Sequence, residues 1–423
     1  MSADGARREE ILETAAALFA SSGLRTSLKE IADACGILPG SLYHHFDSKE
    51  AIIIELVQRY RRDLDLVAEE AIDLQDQPSS RPAVERILEF GRAIADCGVR
   101  HRAALLLTLY DPPAVLGDEL ARLGRQAPTG IEAAMLAILR QGRASGAVRP
   151  GIDLALLSDR LCQSMLHVGV GVSHLTPGAE QVPELRMGIL LHGVGVDTPA
   201  NTDLDRSAAM RAAGGIMARW TDEPEGDDRT AHLRTAARSE FGRRGYESTT
   251  MRDIAAAARL STGTVYRSFR SKDELLLSIM STYSAKWTTA WDAVLSSDAS
   301  PLEKLDALIW VNINLIGRFS DEFKIQLAWL RQSPPTSPNL DFSFQAQLRQ
   351  IKSLLTGGLH KGDLHLNGAS LDVRARCLFE AVMTTPNIVG SAGARTAHGL
   401  GRDTVLRGAA ANARPSRRKS SIQ

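Results

Sequence analysis

Apolar positions along the chain recur at helical rather than strand spacing. Ile11, Leu12, Ala15, Ala16, Leu18 and Phe19 return every three or four residues, and Gly23 closes the run. Thr26 and Ser27 offer an N-cap to a short helix over 28–34 whose Ile31 faces inward. Gly36 supplies a turn. Pro39 then opens another helix, where its missing N–H would be unpaired in any case. Two short helices joined by a tight glycine turn make a helix-turn-helix pattern. The pattern returns later: Leu233, Ala236, Ala237 and Phe241 form a first helix, Gly245 ends it, Thr249-Thr250 caps 251–258, and Ser261-Thr262-Gly263 opens the next. Each headpiece is followed by a long, β-poor, helical region. The spacing predicts helices near 51–74, 83–97, 100–109, 113–122, 129–145, 153–174 and 182–191, then 274–295, 302–316, 322–331, 342–355 and 371–388. An extra helix is expected over 204–220, an acidic exposed linker over 221–228, and a disordered basic tail with Arg417-Arg418-Lys419 at the end.

One stretch occurs twice. Gly40-Ser41-Leu42-Tyr43-His44-His45-Phe46-Asp47-Ser48-Lys49 aligns with Gly263-Thr264-Val265-Tyr266-Arg267-Ser268-Phe269-Arg270-Ser271-Lys272 at a constant offset of 223. Glycine, small hydroxyl, aliphatic, Tyr, Phe, Ser and Lys are shared. A period near half the chain means two similar units rather than a solenoid, whose repeats are far shorter.

Composition narrows the picture. A chain of 423 residues with 44% apolar and 24% charged positions can bury a core in each half. The net charge of zero argues against a general polycation, but only the local field at a binding face matters for nucleic acid. The headpieces differ in that field. From Arg7 to Lys49 there are five basic and six acidic residues, a net of −1; from Arg229 to Lys272 there are ten and three, a net of +7. The second headpiece is therefore expected to supply most of the electrostatic affinity. Cys35, Cys97, Cys162 and Cys377 are scattered, which fits a reducing cytoplasm without zinc or disulfides. No apolar run reaches the about 20 residues of a spanning helix, no secretory leader is evident, and no membrane partner is expected.

At these residues the chain resembles the TetR family of bacterial transcription regulators, twice over. The first copy has Phe19, Gly23, Ile31-Ala32, Gly40-Ser41-Leu42-Tyr43, Phe46 and Ser48-Lys49-Glu50. The second has Phe241, Gly245, Thr249-Thr250, Ile254-Ala255, Gly263-Thr264-Val265-Tyr266, Phe269, Ser271-Lys272 and Glu274-Leu275. The specific signal covers about the first fifty residues of each half. The resemblance implies an all-α fold of two TetR-like units, each a headpiece plus a helical ligand-binding and dimerisation body. The expected boundaries are 1–50 and 51–200, a linker over 201–228, 229–274 and 275–410, and a tail over 411–423.

Tyr43 and Tyr266 place a hydroxyl at the end of a rigid ring, suited to a phosphate oxygen, and Lys49 and Lys272 supply cations. A solvated surface pair is the plainer alternative. Phe46 and Phe269, three positions further on, point into the headpiece core. By resemblance, base reading falls to Pro39, Gly40, Ser41 and His44 in the first copy and to Thr262, Gly263, Thr264 and Arg267 in the second. His45 then contacts phosphate, and Ser27, Lys29, Thr250 and Arg252 complete the DNA-facing set. Arg267 can present a bidentate fork to guanine; His44 cannot. Adjacent His44 and His45 would point about 100° apart on a helix with no third ligand nearby in sequence, so no metal is expected; no cofactor is expected either.

Leu106, Tyr110, Met135, Met165 and His167 in the first body, and Trp310, Asn314 and Trp329 in the second, are candidates for an effector pocket, although apolar residues at helical spacing are more often plain core. The implied partners are a double-stranded DNA operator and a small hydrophobic or amphipathic effector. The two bodies are expected to pair within the chain as a pseudo-dimer, with a homodimer of whole chains also open. The expected function is a repressor released by its effector and reading an asymmetric operator. The rival readings are a ligand-binding interaction protein, or an enzyme on a helical scaffold with headpieces inactive on DNA. The sequence has no P-loop, Gly-x-Ser-x-Gly, His-Glu-x-x-His or dinucleotide fingerprint.

Overall fold

The computed structural model describes residues 3–22, 26–76, 81–108, 117–171, 178–220, 228–246, 248–330 and 344–411. Among these there are helices and no strand, and no helix is long and apolar enough to cross a membrane. The first half contains α1 (Ala3–Ser22), α2 (Leu28–Ala34), α3 (Pro39–Tyr43), α4 (Lys49–Asp76), α5 (Ala83–Arg100), α6 (Arg102–Thr108), α7 (Asp118–Arg125), α8 (Thr129–Ala144), α9 (Leu154–Gly171) and α10 (Val182–His192). Two helices stand between the halves, α11 (Asn201–Asp205) and α12 (Ala208–Met217). The second half contains α13 (Asp228–Arg244), α14 (Met251–Ala257), α15 (Thr262–Ser268), α16 (Lys272–Leu295), α17 (Pro301–Arg318), α18 (Ser320–Leu330), α19 (Phe344–Lys361), α20 (Leu371–Val382), α21 (Pro386–Ala392) and α22 (Ala394–Gly401). A short π-helical turn, Arg402–Leu406, ends it.

The expected helix over 204–220 is broken at Arg206, because the Ser207 hydroxyl accepts the Met210 N–H (3.0 Å) and starts α12 afresh. The expected 371–388 helix is also two helices. Pro386 holds Thr385 extended (ψ 145°) and begins α21. The glycine-rich run that hid α22 from its periodicity packs on α17 all the same. The acidic stretch before Asp228, the first part of the expected 113–122 helix and the basic tail lie outside the described residues. The inter-half segment is part of the second body's core: Leu204, Ala209, Ala213, Met217 and Trp220 are buried, and α12 packs on α16 and α17.

The halves meet through a reciprocal set of backbone hydrogen bonds. Val194 N donates to Val405 O (2.8 Å), and its image, Ala409 N, donates to Leu190 O (3.0 Å). Gly195 N to Leu406 O (3.0 Å) is matched by Ala410 N to Leu191 O (2.8 Å). His365 N to Val194 O (2.8 Å) is matched by Arg149 N to Ala409 O (2.9 Å). Each bond maps onto its image by adding 215 or 216 to the first-half residue, which is an internal two-fold relation. Gly193 (φ +68°) and Gly408 (φ +82°) lie at its centre, equivalent by the same offset. A Cβ on Gly408 would stand 2.3 Å from His192 C, and one on Gly193 2.5 Å from Arg407 C. Only glycine allows both the conformation and the approach.

Side chains extend the junction. Arg160, on α9, is buried and donates to Thr404 Oγ1 (3.1 Å) and Ala381 O (2.7 Å). Burial pushes its pKa down to about 10. Arg186, on α10, donates to Ser164 O (2.8 Å) and pairs with Glu380 of α20. In the second body Asp306 is fully buried and accepts both Arg402 Nε and Nη2 at 2.8 Å. His398 Nε2 lies 2.9 Å from Asp306 Oδ1, and Arg402 also reaches Asp205 of α11 (2.7 Å). Burial alone would raise the Asp306 carboxyl; the hydrogen bonds from Arg402 and His398 outweigh it and hold it below its ordinary value.

Candidate nucleic-acid interface

Each headpiece is built by the same local rules. Ser27 caps α2 in a capping box: its hydroxyl accepts Glu30 N (3.2 Å), and Glu30 Oε2 accepts Ser27 N (2.7 Å). Thr250 and Asp253 repeat this on α14 (3.2 and 2.9 Å). The Ser27 amide and hydroxyl lower Glu30; the Thr250 hydroxyl and amide, with Arg244, hold Asp253 at about 2. Ile11, Leu12, Phe19, Ile31, Leu42 and Phe46 close the first core, and Leu233, Phe241, Ile254, Val265 and Phe269 close the second. Salt bridges fasten each first helix to its body. Arg8 pairs with Glu55 of α4 and Arg59 with Glu9 (2.5 Å), while Arg238 pairs with Glu322 of α18 (3.1 Å).

The recognition helices are not equal. Ser261 caps α15 by accepting Thr264 N (3.2 Å), whereas Leu38 at the start of α3 has no side chain to offer. α3 ends at Tyr43. His44 and His45, expected to continue the helix, lie in the turn that follows. Tyr43 and Tyr266 are equally exposed, at 53% and 52%. Ser27, Lys29, Pro39, Gly40, Ser41 and His44 are exposed on the first copy, and His45 and Lys49 are half-buried. His45 Nδ1 stands 3.3 Å from Asp4 of α1.

In the second copy Thr250, Arg252, Gly263 and Arg267 are exposed, and Thr262 and Thr264 half-buried. Arg267 Nη2 donates to Thr264 Oγ1 (2.9 Å), which fixes its fork along the helix. Lys272 is engaged inside the headpiece. Its ammonium donates to Tyr246 O (2.8 Å) and Thr249 O (3.0 Å) and lies 4.3 Å from the centre of the Tyr246 ring. Leu38, 76% exposed at the mouth of α3, was missed by sequence reasoning; an apolar residue directly before Pro39 was the available signal.

In the first body, Leu106, Met135 and Met165 are buried on α6, α8 and α9, with α6 and α8 both packing on α9. His167 Nδ1 lies 2.6 Å from Gln163 O. Burial, against that hydrogen bond and with help from the nearby Arg186 charge, pushes His167 down to about 4. Trp310 and Asn314 lie one turn apart on α17; Asn314 donates to Trp310 O (2.9 Å), and Trp310 packs on His398 (5.1 Å). The second body's centre is elsewhere. Asn312 Oδ1 accepts both Trp287 Nε1 (3.1 Å) and Trp291 Nε1 (3.0 Å), while Asn312 Nδ2 donates to Val382 O (3.2 Å). The four-residue spacing of Tyr283, Trp287 and Trp291 was the signal for that buried stripe. Tyr110 and the Trp329 side chain lie outside the described residues. Among the described residues no group of His, Cys, Asp and Glu could hold a metal ion.

Two helix-turn-helix headpieces, each with an exposed recognition face and a helical body behind it, define a DNA-binding regulator. The model of the family of bacterial regulatory proteins, tetR family, matches at residues 11–56 and again at 233–279. The HTH-type transcriptional repressor KstR2 of Mycobacterium tuberculosis is 32% identical over 201 residues, covering 44% of this chain and 92% of the relative. KstR2 of Rhodococcus jostii is 58% identical over 59 residues, covering 14% and 29%. A solved structure of the ketosteroid transcriptional regulator KstR2 of Mycobacterium tuberculosis is 30% identical, covers 43% of this chain and 92% of its own, and aligns with a TM-score of 0.36. The chain belongs to the TetR family, with the family's DNA-binding unit present twice.

Proposed function

We propose that the chain is a transcriptional repressor whose two headpieces read the unequal halves of one operator. On this reading a small hydrophobic or amphipathic effector, entering the helical bodies, releases it from DNA. The observation that carries the reading is the pair of complete recognition units that differ at solvent-reaching positions, exposed or half-buried: Leu38/Ser261, Ser41/Thr264, His44/Arg267 and His45/Ser268. Arg267, with its fork already oriented by Thr264, suits guanine O6 and N7; Leu38 suits a thymine methyl. Tyr43 and Tyr266 then hold phosphates on either side. Repression is taken from the named activity of the KstR2 relatives.

The reciprocal hydrogen bonds between the halves support an intrachain pseudo-dimer, and on this reading the two unlike half-sites lie about one helical turn of DNA, or a small multiple of it, apart. The first body, where Leu106, Met135 and Met165 are buried on α6, α8 and α9, is the favoured place for the effector. The effector must bind the DNA-incompetent arrangement better than the competent one. The site of action is the bacterial cytoplasm. Selection of bound sequences from a random duplex pool tests the operator reading. The expected result is a site with two unlike halves bound by one chain; a perfect inverted repeat occupied by two chains through one headpiece each overturns it.

A further inference from the structure

We infer that Arg259 and Arg270 are DNA-backbone clamps peculiar to the second headpiece, so that the two recognition helices are held on the duplex with unequal force. This rests on the DNA-binding reading above. The offset of 223 that aligns the headpieces pairs Arg259 with Gly36 and Arg270 with Asp47, whereas Arg252 is paired with another cation, Lys29. The second headpiece thus gains one positive charge at the first position and two charge units at the second.

Arg259 occupies the turn of its helix-turn-helix in the left-handed conformation, with φ +54°, where Gly36 has φ +65°. Glycine adopts that conformation without steric penalty; arginine does not. The arginine backbone does nothing there that glycine would not. Its N–H donates to Ala256 O (3.0 Å), as the Gly36 N–H donates to Asp33 O (3.1 Å). What the second copy gains by tolerating the strain is the side chain. That side chain is exposed and makes no hydrogen bond or ion pair among the described residues. A strained residue whose side chain has no use inside the fold points to a use outside it.

Arg270 is placed at the other end of the same recognition helix. It lies two residues beyond Ser268, where α15 ends, and two before Lys272, where α16 begins. Its backbone N–H is taken by Glu274 (2.7 Å), which fixes the loop, while its guanidinium is exposed and has no partner among the described residues. Arg259 and Arg270 therefore bracket α15, with the exposed Tyr266 and Arg267 between them. A helix lying in a major groove has a phosphate strand beyond each end, and guanidinium is the side chain suited to phosphate oxygens. The first headpiece has no cation at either position.

Each phosphate contact contributes a slope of about −0.9 to log K against log salt, so each is worth about eightfold in affinity at 0.1 M salt relative to 1 M. The test measures binding of the full chain to a random-sequence duplex, suitable because phosphate contacts ignore sequence, between about 0.05 and 0.3 M salt. Arg259→Gly/Arg270→Ala is expected to flatten the slope by about 1.8 and to weaken binding about sixtyfold at 0.1 M. Asp47→Arg is expected to steepen the slope by about 0.9. Arg259→Gly alone is expected to leave the thermal midpoint unchanged or raised, which separates lost contact from lost fold. Wild-type binding with slopes unchanged in the variants overturns this inference alone. A wild-type chain that binds no duplex at any salt overturns the DNA-binding reading with it.

Discussion

Replacing Gly408 by alanine is the sharpest perturbation of the junction between the halves, and Gly151 supplies the control. The two glycines have nearly the same backbone, φ +82° and +84°, but a Cβ on Gly151 would meet nothing within 4 Å. Left-handed strain is therefore common to both variants, at about 1–2 kcal/mol. At Gly408 the added carbon would also stand 2.3 Å from His192 C and 2.5 Å from Leu191 O, both backbone, so no side chain can swing away. The two backbone segments must part. The nearest hydrogen bonds are Ala409 N to Leu190 O (3.0 Å) and Ala410 N to Leu191 O (2.8 Å). Losing both costs a further about 1–3 kcal/mol. Gly408→Ala should thus lower stability by about 2–5 kcal/mol and Gly151→Ala by about 1–2 kcal/mol, read from urea midpoints at equal slope. Should the two variants agree within about 0.5 kcal/mol, the close approach has no energetic weight and the reasoning fails.

Three further outcomes follow from the buried polar groups. Arg402→Ala leaves the buried Asp306 carboxylate with His398 as its remaining side-chain partner and is expected to cost about 3–5 kcal/mol, whereas the Asp306→Leu/Arg402→Met double variant costs far less; a denaturant double-mutant cycle reads the coupling. Asn312→Leu removes the acceptor shared by the indole N–H groups of Trp287 and Trp291, for an expected loss of about 2–4 kcal/mol, followed by tryptophan fluorescence during unfolding. His167 is held neutral in the fold, with its pKa down at about 4 against an ordinary 6.5. The unfolded chain therefore binds the extra proton first. His167 contributes its stability fully above pH 6.5 and loses up to about 3 kcal/mol of it as pH falls toward 4. His167→Gln should flatten the stability profile across that window, and an unchanged profile would contradict the burial argument.

The headpieces were legible because their signals are local. Caps at Ser27 and Thr250, the turn glycine Gly36 and the repeated Tyr-x-x-Phe spacing each act within a few residues. What periodicity could not supply was pairing over distance. Nothing near Asp306 in the chain indicates Arg402, 96 positions away, and nothing near Gly193 indicates Gly408. The same limit explains the expected 371–388 helix, where an apolar stripe outweighed Pro386 in the reading, and α22, where small residues leave little pattern to see. Lys272 shows the limit at a site residue. Its place in the motif marks a cation near DNA, but its two carbonyl partners come from a loop 23 and 26 positions earlier. Tyr283, Trp287 and Trp291 were readable as a stripe, yet Asn312, which satisfies two of them, was not.

The ladder between the halves also bears on how the protein behaves as a population. In a regulator assembled from separate subunits, association depends on concentration, and partners can be exchanged between related proteins. Here both surfaces are tethered, so each meets the other at an effective concentration of about millimolar whatever the number of chains in the cell. Dilution leaves that contact intact. Because the two headpieces are encoded separately, a change in one is not copied into the other.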